Sequence, residues 1–231
     1  PFVLLSGKEK RRSSNAMIRI ICLLIGYCFG LFQTSYIYGR LHGIDIRNYG
    51  SGNAGTTNAL RTLGTKAGVI TFFGDCFKCV FAVLLVHLLF GKMYPDMIRL
   101  LAVYAAAGTI LGHNFPFYLK FRGGKGIAAT AGLIVSFDWR ITIVALVLFV
   151  AVFLTTHYVS LGSLVVYGVL LIGTIVLGQI GLFAMPTDYL YEMYIVVALL
   201  TILAVWKHRE NIGRLLSGTE RKTYLSGKGR K

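Results

Sequence analysis

The chain has 231 residues, of which 55% are hydrophobic and only 14% carry a charge, and the hydrophobic residues form long runs between short polar segments. This pattern excludes a soluble fold and leaves no room for a separate soluble domain. The formal net charge of +15 is compatible with nucleic acid, anionic lipid or a phosphorylated substrate as partner, and the hydrophobicity argues against nucleic acid.

Seven apolar runs are interpreted as membrane spans, because a hydrocarbon layer of roughly 30 Å needs about 20 residues of helix. The fourth and fifth runs are short, and only Asp138-Trp139-Arg140 separates them, so a single kinked element is an alternative there. We therefore predict an all-α integral membrane protein with about seven transmembrane helices. The runs cover residues 17–38, 67–90, 96–113, 125–137, 139–156, 160–183 and 189–206.

Lys and Arg residues predict the orientation, because they concentrate on the cytoplasmic side of a membrane. Segments 39–66 and 114–125 and the tail from residue 207 carry four, three and eight of them on one side. This pattern places the C-terminus in the cytoplasm and the N-terminus outside, although the basic residues within 8–19 disagree. We expect residues 1–16 to be extraneous or poorly ordered, residues 17–220 to form the membrane domain and residues 221–231 to be a basic cytoplasmic tail.

Two polar patterns lie inside the apolar runs. Asp75 and Lys78 are three residues apart in the second run, a spacing that favours a structural ion pair. Cys76 and Cys79 form a single CxxC pair with no histidine nearby, which is weak evidence for metal or redox chemistry. We predict no metal, no disulfide and no cofactor.

The first basic segment contains Gly50-Ser51-Gly52-Asn53-Ala54-Gly55-Thr56-Thr57-Asn58-Ala59-Leu60-Arg61. Its glycines allow positive φ angles that turn backbone N–H groups inward around phosphate oxygens. Arg61 adds a guanidinium one helical turn after Thr57. The candidate substrate-binding residues here are Ser51, Gly52, Asn53, Thr57 and Asn58; a flexible loop with a capped helix start is the alternative.

The second segment runs from Gly112 to Gly126 and ends in Gly123-Gly124-Lys125-Gly126 at the predicted start of the fourth span. This arrangement brings free backbone N–H groups, the positive end of a helix and an ammonium to one point, as in a phosphate site. Lys120 and Arg122 can be topology charges only. For His113, a structural or capping role and a functional role both stay open.

The third segment, Lys207 to Glu220, follows the last span. In a helix, His208, Asn211 and Leu215 share one face while Arg209 and Glu210 point elsewhere. An amphipathic helix at the lipid headgroups is the alternative. Ser160, at the start of the sixth span, is either a further hydroxyl of the site or a helix cap.

The three motifs together, GSGNAGTTNALR, GHNFPFYLKFRGGKG and HRENIGRLLSGTE, resemble those of the PlsY family of bacterial glycerol-3-phosphate acyltransferases, over about residues 17–220. The resemblance implies transfer of a fatty acyl group from acyl phosphate to the 1-hydroxyl of glycerol 3-phosphate, giving lysophosphatidic acid at the cytoplasmic face of the bacterial inner membrane. A soluble enzyme that makes acyl phosphate is then a possible partner. The family often has Ala at Thr56 and a Lys-Gly pair at Lys78-Cys79. The site residues it implies are Ser51, Asn53, Thr57, Asn58, Arg61, Lys125, Ser160, His208 and Asn211.

Acyl phosphate has a good leaving group, so neutralising charge and placing the hydroxyl can suffice for the reaction. We therefore take His208, Lys125, Arg61 and Asn211 as the candidate catalytic residues. None of the five histidines is followed five residues later by a carboxylate, so the HxxxxD pattern of other membrane acyltransferases is absent from the sequence. The base is either His208 or a substrate phosphate. A membrane transporter of phosphate or of a phosphorylated small molecule is the alternative function.

Overall fold

The computed structural model describes residues 7–224, and this part of the chain is helical without strands, which confirms the predicted all-α fold. Residues 1–6 and 225–231, which belong to the predicted extraneous segment and basic tail, lie outside the described residues. Residues 7–16 belong to the first helix. The described residues form helices α1 Gly7–Gly30, α2 Thr34–Leu41, α3 Thr56–Leu63, α4 Thr65–Phe90, α5 Ile98–Asn114, α6 Ile127–Phe137, α7 Trp139–Thr156, α8 Val159–Gln179, α9 Thr187–Lys207 and α10 Arg209–Leu216.

Six helical segments among the described residues are long and apolar enough to cross a membrane. Helix α6, with 11 residues, rises only about 16 Å and falls short of a hydrocarbon layer of roughly 30 Å. The chain is therefore a multi-pass membrane protein, whereas the count of seven spans and the orientation of the termini stay predictions.

The predicted first span is broken, which corrects the expectation of one helix over residues 17–38. Helix α1 ends at Gly30 and α2 begins at Thr34. Unpaired carbonyls inside a membrane cost several kcal/mol each, and here side chains supply their partners. Tyr118 Oη donates to Leu31 O over 2.7 Å, and Lys78 Nζ donates to Phe32 O over 2.7 Å.

Helices α6 and α7 are two elements rather than one kinked helix. Asp138 has extended backbone angles, φ −155° and ψ 128°. Its N–H donates to Ile134 O at the end of α6, while its Oδ1 accepts from Arg140 N at the start of α7. A single aspartate thus ends one helix and caps the next.

Helix α5 lies at the centre of the bundle and contacts α1, α4, α6 and α9. Its closest neighbour is α1, because glycines spaced four residues apart face each other: Gly26 and Gly30 on α1, Gly108 and Gly112 on α5. A Cβ added at Gly108 would overlap Leu23 O. This is the small-residue packing by which membrane helices approach backbone to backbone.

Among the ion pairs of the described residues, two lie between the long helices or inside one of them. The predicted pairing of Asp75 with Lys78 is confirmed, with 2.8 Å between Oδ1 and Nζ. The second pair, which the sequence did not suggest, joins Arg19 of α1 to Glu192 of α9 through two hydrogen bonds of 2.5 and 2.6 Å. Tyr104 Oη of α5 also donates to Glu192, so this pair ties three helices together.

Replacing Gly108 by alanine should separate α1 from α5 and cost about 1–3 kcal/mol of stability. Gly168 of α8 is the matched control, because an added Cβ there meets nothing within 4 Å. Gly168→Ala should be neutral or stabilising by about 0.5–1 kcal/mol. Apparent melting temperatures in detergent compare the two, and equal values would contradict the close packing of α1 on α5.

Candidate active site

The second and third motifs meet in a chain of hydrogen bonds. Lys125 Nζ donates to Asn211 Oδ1, and Asn211 Nδ2 donates to Glu220 Oε1 over 2.7 Å. Ser160 Oγ, at the start of α8, donates to the same carboxylate oxygen over 2.9 Å. Residues from four separate parts of the chain are thereby held at one end of the bundle.

The first motif forms a loop that one side chain organises. Asn58, which is buried, donates from Nδ2 to Ile46 O and Tyr49 O and accepts from Ser51 N through Oδ1. These bonds shape the loop around Gly50 and Gly52, both of which have positive φ angles as predicted. The same expectation is wrong at Gly55, which has φ −137° because it leads in extended form into α3.

The remaining candidates of the first motif lie at the surface of this loop or on α3. Ser51 and Gly52 are exposed, and Asn53, Thr57 and Arg61 are partly buried. Arg61 NH2 donates to Arg221 O over 3.0 Å and to Thr223 Oγ1 over 2.6 Å. The first motif is therefore joined to the segment that follows the third motif. Glu220, the last residue of the third motif, directly precedes this segment.

The glycine loop of the second motif differs in one respect from the prediction. The N–H groups of Gly123 and Gly124 are not free, because they donate to Asn114 O and His113 O over 3.3 and 3.1 Å. The positive charge at this point comes instead from Lys125 and from the first turn of α6, which begins directly after Gly126. Gly126 has φ +85°, a conformation that favours glycine.

His208 and Asn211 both point inward, as predicted, although they do not share one helix. His208 lies at the junction between α9 and α10, whereas Asn211 lies within α10. Both are buried, while Arg209 and Glu210 are exposed. The break after Lys207 turns α10 back towards the loop of Lys125.

The tautomer of His208 follows from its neighbour. Its Nδ1 lies 2.8 Å from Ala204 O, and a carbonyl oxygen only accepts, so Nδ1 carries the hydrogen and Nε2 keeps a lone pair. Burial lowers the pKa of His208 to about 4, and the nearby Lys125 contributes to the shift. The ring is therefore neutral at physiological pH.

Two further groups of the site have shifted pKa values. Burial, followed by the charge of Arg214, lowers the pKa of Lys125. Burial alone would raise the pKa of Glu220, but hydrogen bonds from Asn211, Arg214 and Ser160 outweigh it and the pKa lies below its ordinary value. Glu220 is thus a buried carboxylate that carries its charge among the donors of the site.

A cavity of about 630 Å³ lies between the first and second motifs, and Lys125, His208, Asn211 and Glu220 are not among its lining residues. Gly52 of the first motif and Gly123 of the second both line it, so the two loops face one space. Four cations also line it: Arg47, Lys120, Arg122 and Lys207. For two of them, Lys120 and Arg122, the sequence had left open that they are topology charges only. Arg47 is held in place by the Asp45 carboxylate and by Leu119 O.

Sequence reasoning missed Glu220 as a member of the site, although it stands at the end of the quoted third motif. One available signal was that Glu220 is an acidic residue between basic residues, close to the end of a span. Arg47 carried a similar signal, since Asp45 two residues earlier can hold a guanidinium in a fixed direction.

Comparison with known proteins identifies the family. The family model described as glycerol-3-phosphate acyltransferase matches residues 20–218. The chain belongs to the glycerol-3-phosphate acyltransferase family. It is therefore an acyltransferase, and the family predicted from its sequence is confirmed.

Individual relatives cover most of the chain. The glycerol-3-phosphate acyltransferase of Clostridioides difficile is 44% identical over 206 residues, which are 88% of this chain and 94% of the relative. That of Halalkalibacterium halodurans is 42% identical over 202 residues, with 87% and 93% covered. The crystal structure of PlsY (YgiH), an integral membrane glycerol 3-phosphate acyltransferase, in its glycerol 3-phosphate form has a TM-score of 0.76 at 29% identity and covers 89% of this chain and 96% of its own. The lysophosphatidic acid form has a TM-score of 0.72 at 28% identity, with 90% and 96% covered.

Glu220→Gln should lower kcat/KM about 10- to 100-fold, because hydrogen bonds to a charged group contribute about 1.5–3 kcal/mol and this carboxylate holds Asn211 beside Lys125. Glu210→Gln is the matched control: its carboxylate is 70% exposed and lies 4.0 Å from the same Arg214. Acyl transfer by the control should stay within about twofold of wild type. Similar losses in both variants would mean that acidic charge alone, rather than the Glu220 hydrogen bonds, matters.

The buried, neutral His208 should make stability depend on pH. Its pKa is about 4 in the folded protein against an ordinary value of 6.5, so between these values the unfolded chain binds a proton that the folded chain does not. This contribution is complete above pH 6.5 and is lost as the pH falls towards 4. His208→Gln should reduce the fall in melting temperature over that window, and parallel curves for variant and wild type would refute the assignment.

Proposed function

We propose that the protein transfers a fatty acyl group from acyl phosphate to the 1-hydroxyl of glycerol 3-phosphate, giving lysophosphatidic acid and phosphate. In this reaction a C–O bond forms to the glycerol hydroxyl and the C–O bond to the leaving phosphate breaks. The hydroxyl proton passes to the released phosphate or to His208.

The observation that carries the proposal is the convergence of the three motifs on one site. Lys125 donates a hydrogen bond to Asn211, Arg61 donates to Arg221 and Thr223 directly after Glu220, and Gly52 and Gly123 line one cavity. A reaction between two phosphate-bearing substrates needs several cations and donors close together, because two anions must be held against their mutual repulsion. Lys125 and Arg61 are proposed to bind the phosphates, with Ser51, Asn53 and Thr57 as further donors. Ser160, which was also predicted to bind substrate, donates its only hydroxyl hydrogen to Glu220 and is proposed to hold that carboxylate.

The protonation state of His208 favours a substrate phosphate as the base. A phosphate monoester has a second pKa near 6, whereas the pKa of His208 is about 4. The phosphate is then about a hundredfold stronger as a base. His208 is better suited to orient the glycerol moiety, through Nε2, than to remove its proton. The two pKa values therefore support a substrate-assisted proton transfer.

We further propose that the site faces the cytoplasm of a bacterial cell, at the inner membrane. The basic segments between the spans favour that side, and a soluble enzyme that makes acyl phosphate would deliver the donor there. The acyl chain would lie along the apolar surface of the bundle.

The test is purified protein in detergent with acyl phosphate and labelled glycerol 3-phosphate, followed by detection of lysophosphatidic acid. We expect product with acyl phosphate alone. Product only with acyl-CoA would refute the donor, and transport of glycerol 3-phosphate into vesicles without any product would favour the transporter alternative.

Arg61→Ala and Lys125→Ala should each lower turnover at least about 100-fold while leaving the melting temperature near that of wild type, because each removes a charge-assisted contact to a phosphate. Lys66→Ala is the matched control, since Lys66 is an exposed cation on the same predicted face. Equal activity in all three variants would mean that these cations only set topology.

A further inference from the structure

Behind the glycine loop lies a buried polar cluster that the proposed reaction does not use. It consists of Asp75, Lys78 and His113, which are 0%, 4% and 2% exposed. Lys78 Nζ lies 2.8 Å from Asp75 Oδ1 and 2.9 Å from His113 Nδ1. Thr34 Oγ1 donates to the same Asp75 oxygen over 3.0 Å. The cluster therefore joins α2, α4 and α5.

The broken first span fixes the position of Lys78. Its ammonium also donates to Phe32 O over 2.7 Å and approaches Gly30 O at 3.4 Å, both at the gap between α1 and α2. An ammonium group is only a hydrogen-bond donor, so each of its hydrogen-bond partners must be an acceptor. Lys78 is thus directed by one carboxylate, the carbonyls of the gap and one ring nitrogen.

This arrangement determines which way the ring of His113 faces. Because Lys78 donates, Nδ1 of His113 accepts and the hydrogen of the neutral ring lies on Nε2. Nε2 faces the glycine loop, where a Cβ added at Gly124 would overlap it. The ring edge therefore packs directly against the backbone of Gly124.

The backbone at His113 holds the same loop. His113 O accepts from Gly124 N over 3.1 Å, and Asn114 O accepts from Gly123 N over 3.3 Å. A Cβ at Gly123 would overlap His113 O. The His113 ring and the carbonyls of His113 and Asn114, at the end of α5, therefore hold Gly123 and Gly124 in position. Lys125 directly follows Gly124 in the chain.

Resting on the proposed function, we propose that Asp75 and Lys78 are positioning residues that act through His113 to hold the Gly123–Gly126 loop where Lys125 meets Asn211. The loop needs glycines because its backbone packs directly against His113 and the end of α5. The ion pair contributes to phosphate binding without touching a phosphate.

The first test replaces the pair by neutral groups of similar size in the double variant Asp75→Asn/Lys78→Met, which leaves no uncompensated buried charge. We expect the KM of at least one phosphate-bearing substrate to rise about tenfold. The matched control is Arg19→Met/Glu192→Gln, which removes the other ion pair of the bundle and touches no part of the loop. It should lower the melting temperature while leaving both KM values within twofold of wild type. Unchanged KM values in the first variant would overturn the proposal.

A second test covers the case in which the double variant does not fold. His113→Gln keeps one acceptor and one donor on its terminal amide, whereas His113→Phe keeps a ring and neither polar atom. Positioning predicts that His113→Phe raises KM about tenfold and that His113→Gln restores most of the loss. A ring that only fills space predicts the opposite order, and that result would refute the proposal.

The affinity for inorganic phosphate, measured by calorimetry on the same detergent-solubilised proteins, separates this proposal from the proposed function. We expect His113→Phe to weaken phosphate binding about tenfold relative to wild type. If wild type binds phosphate but makes no lysophosphatidic acid, the proposed function fails and the positioning role can still be read from the binding constants. Equal phosphate affinity in wild type and His113→Phe would overturn the positioning role alone.

Discussion

The site depends on one chain of hydrogen bonds, from Lys125 to Asn211 to Glu220 and on to Ser160. The three bonds join a loop before α6, the short helix α10, the segment after it and the start of α8. Glu220 is central because a buried carboxylate can accept from several donors at once. Its negative charge also offsets part of the positive charge around it. Without this carboxylate, the cations of the site would repel one another before any phosphate binds. The protein can therefore concentrate cations at one end of the bundle without substrate.

Below the site, the absence of water within a membrane determines how the helices pack. The gap between α1 and α2 exposes carbonyls that must find donors, and Lys78, Gln33 and Tyr118 supply them. The facing glycines of α1 and α5 bring Gly30 close to Gly112, directly beneath His113. In lipid, helices associate through close packing because a hydrophobic driving force between them is missing. Here the close packing of α1 on α5 brings the gap between α1 and α2, the Asp75–Lys78 pair and the end of α5 next to one another.

The all-α fold and the Asp75–Lys78 pair could be predicted from the sequence, because apolar run length and helical spacing determine them directly. The inward direction of His208 and Asn211 was also predicted, but from a single helix, whereas His208 lies at the break between α9 and α10. The break at Leu31–Gln33 could not, since its carbonyls are satisfied by Lys78 and Tyr118, which lie far away in sequence. The N–H groups of Gly123 and Gly124 were taken as free because their acceptors, Asn114 O and His113 O, belong to the end of α5. The contacts of Glu220 and Arg47 were missed although local signals for both were present. Local patterns identify which residues can bind phosphate, whereas distant partners decide which of them are already bonded within the protein.

The central claim is that residues of separate motifs act as one unit, and a double-mutant cycle between Lys125 and Asn211 tests it most directly. The variants Lys125→Met, Asn211→Ala and their combination are compared by kcat/KM for acyl transfer at raised enzyme concentration. If the two side chains work through their shared hydrogen bond, the double variant should lose little more activity than the worse single variant. A loss in the double variant equal to the product of the two single losses would show that they act independently and would contradict the account.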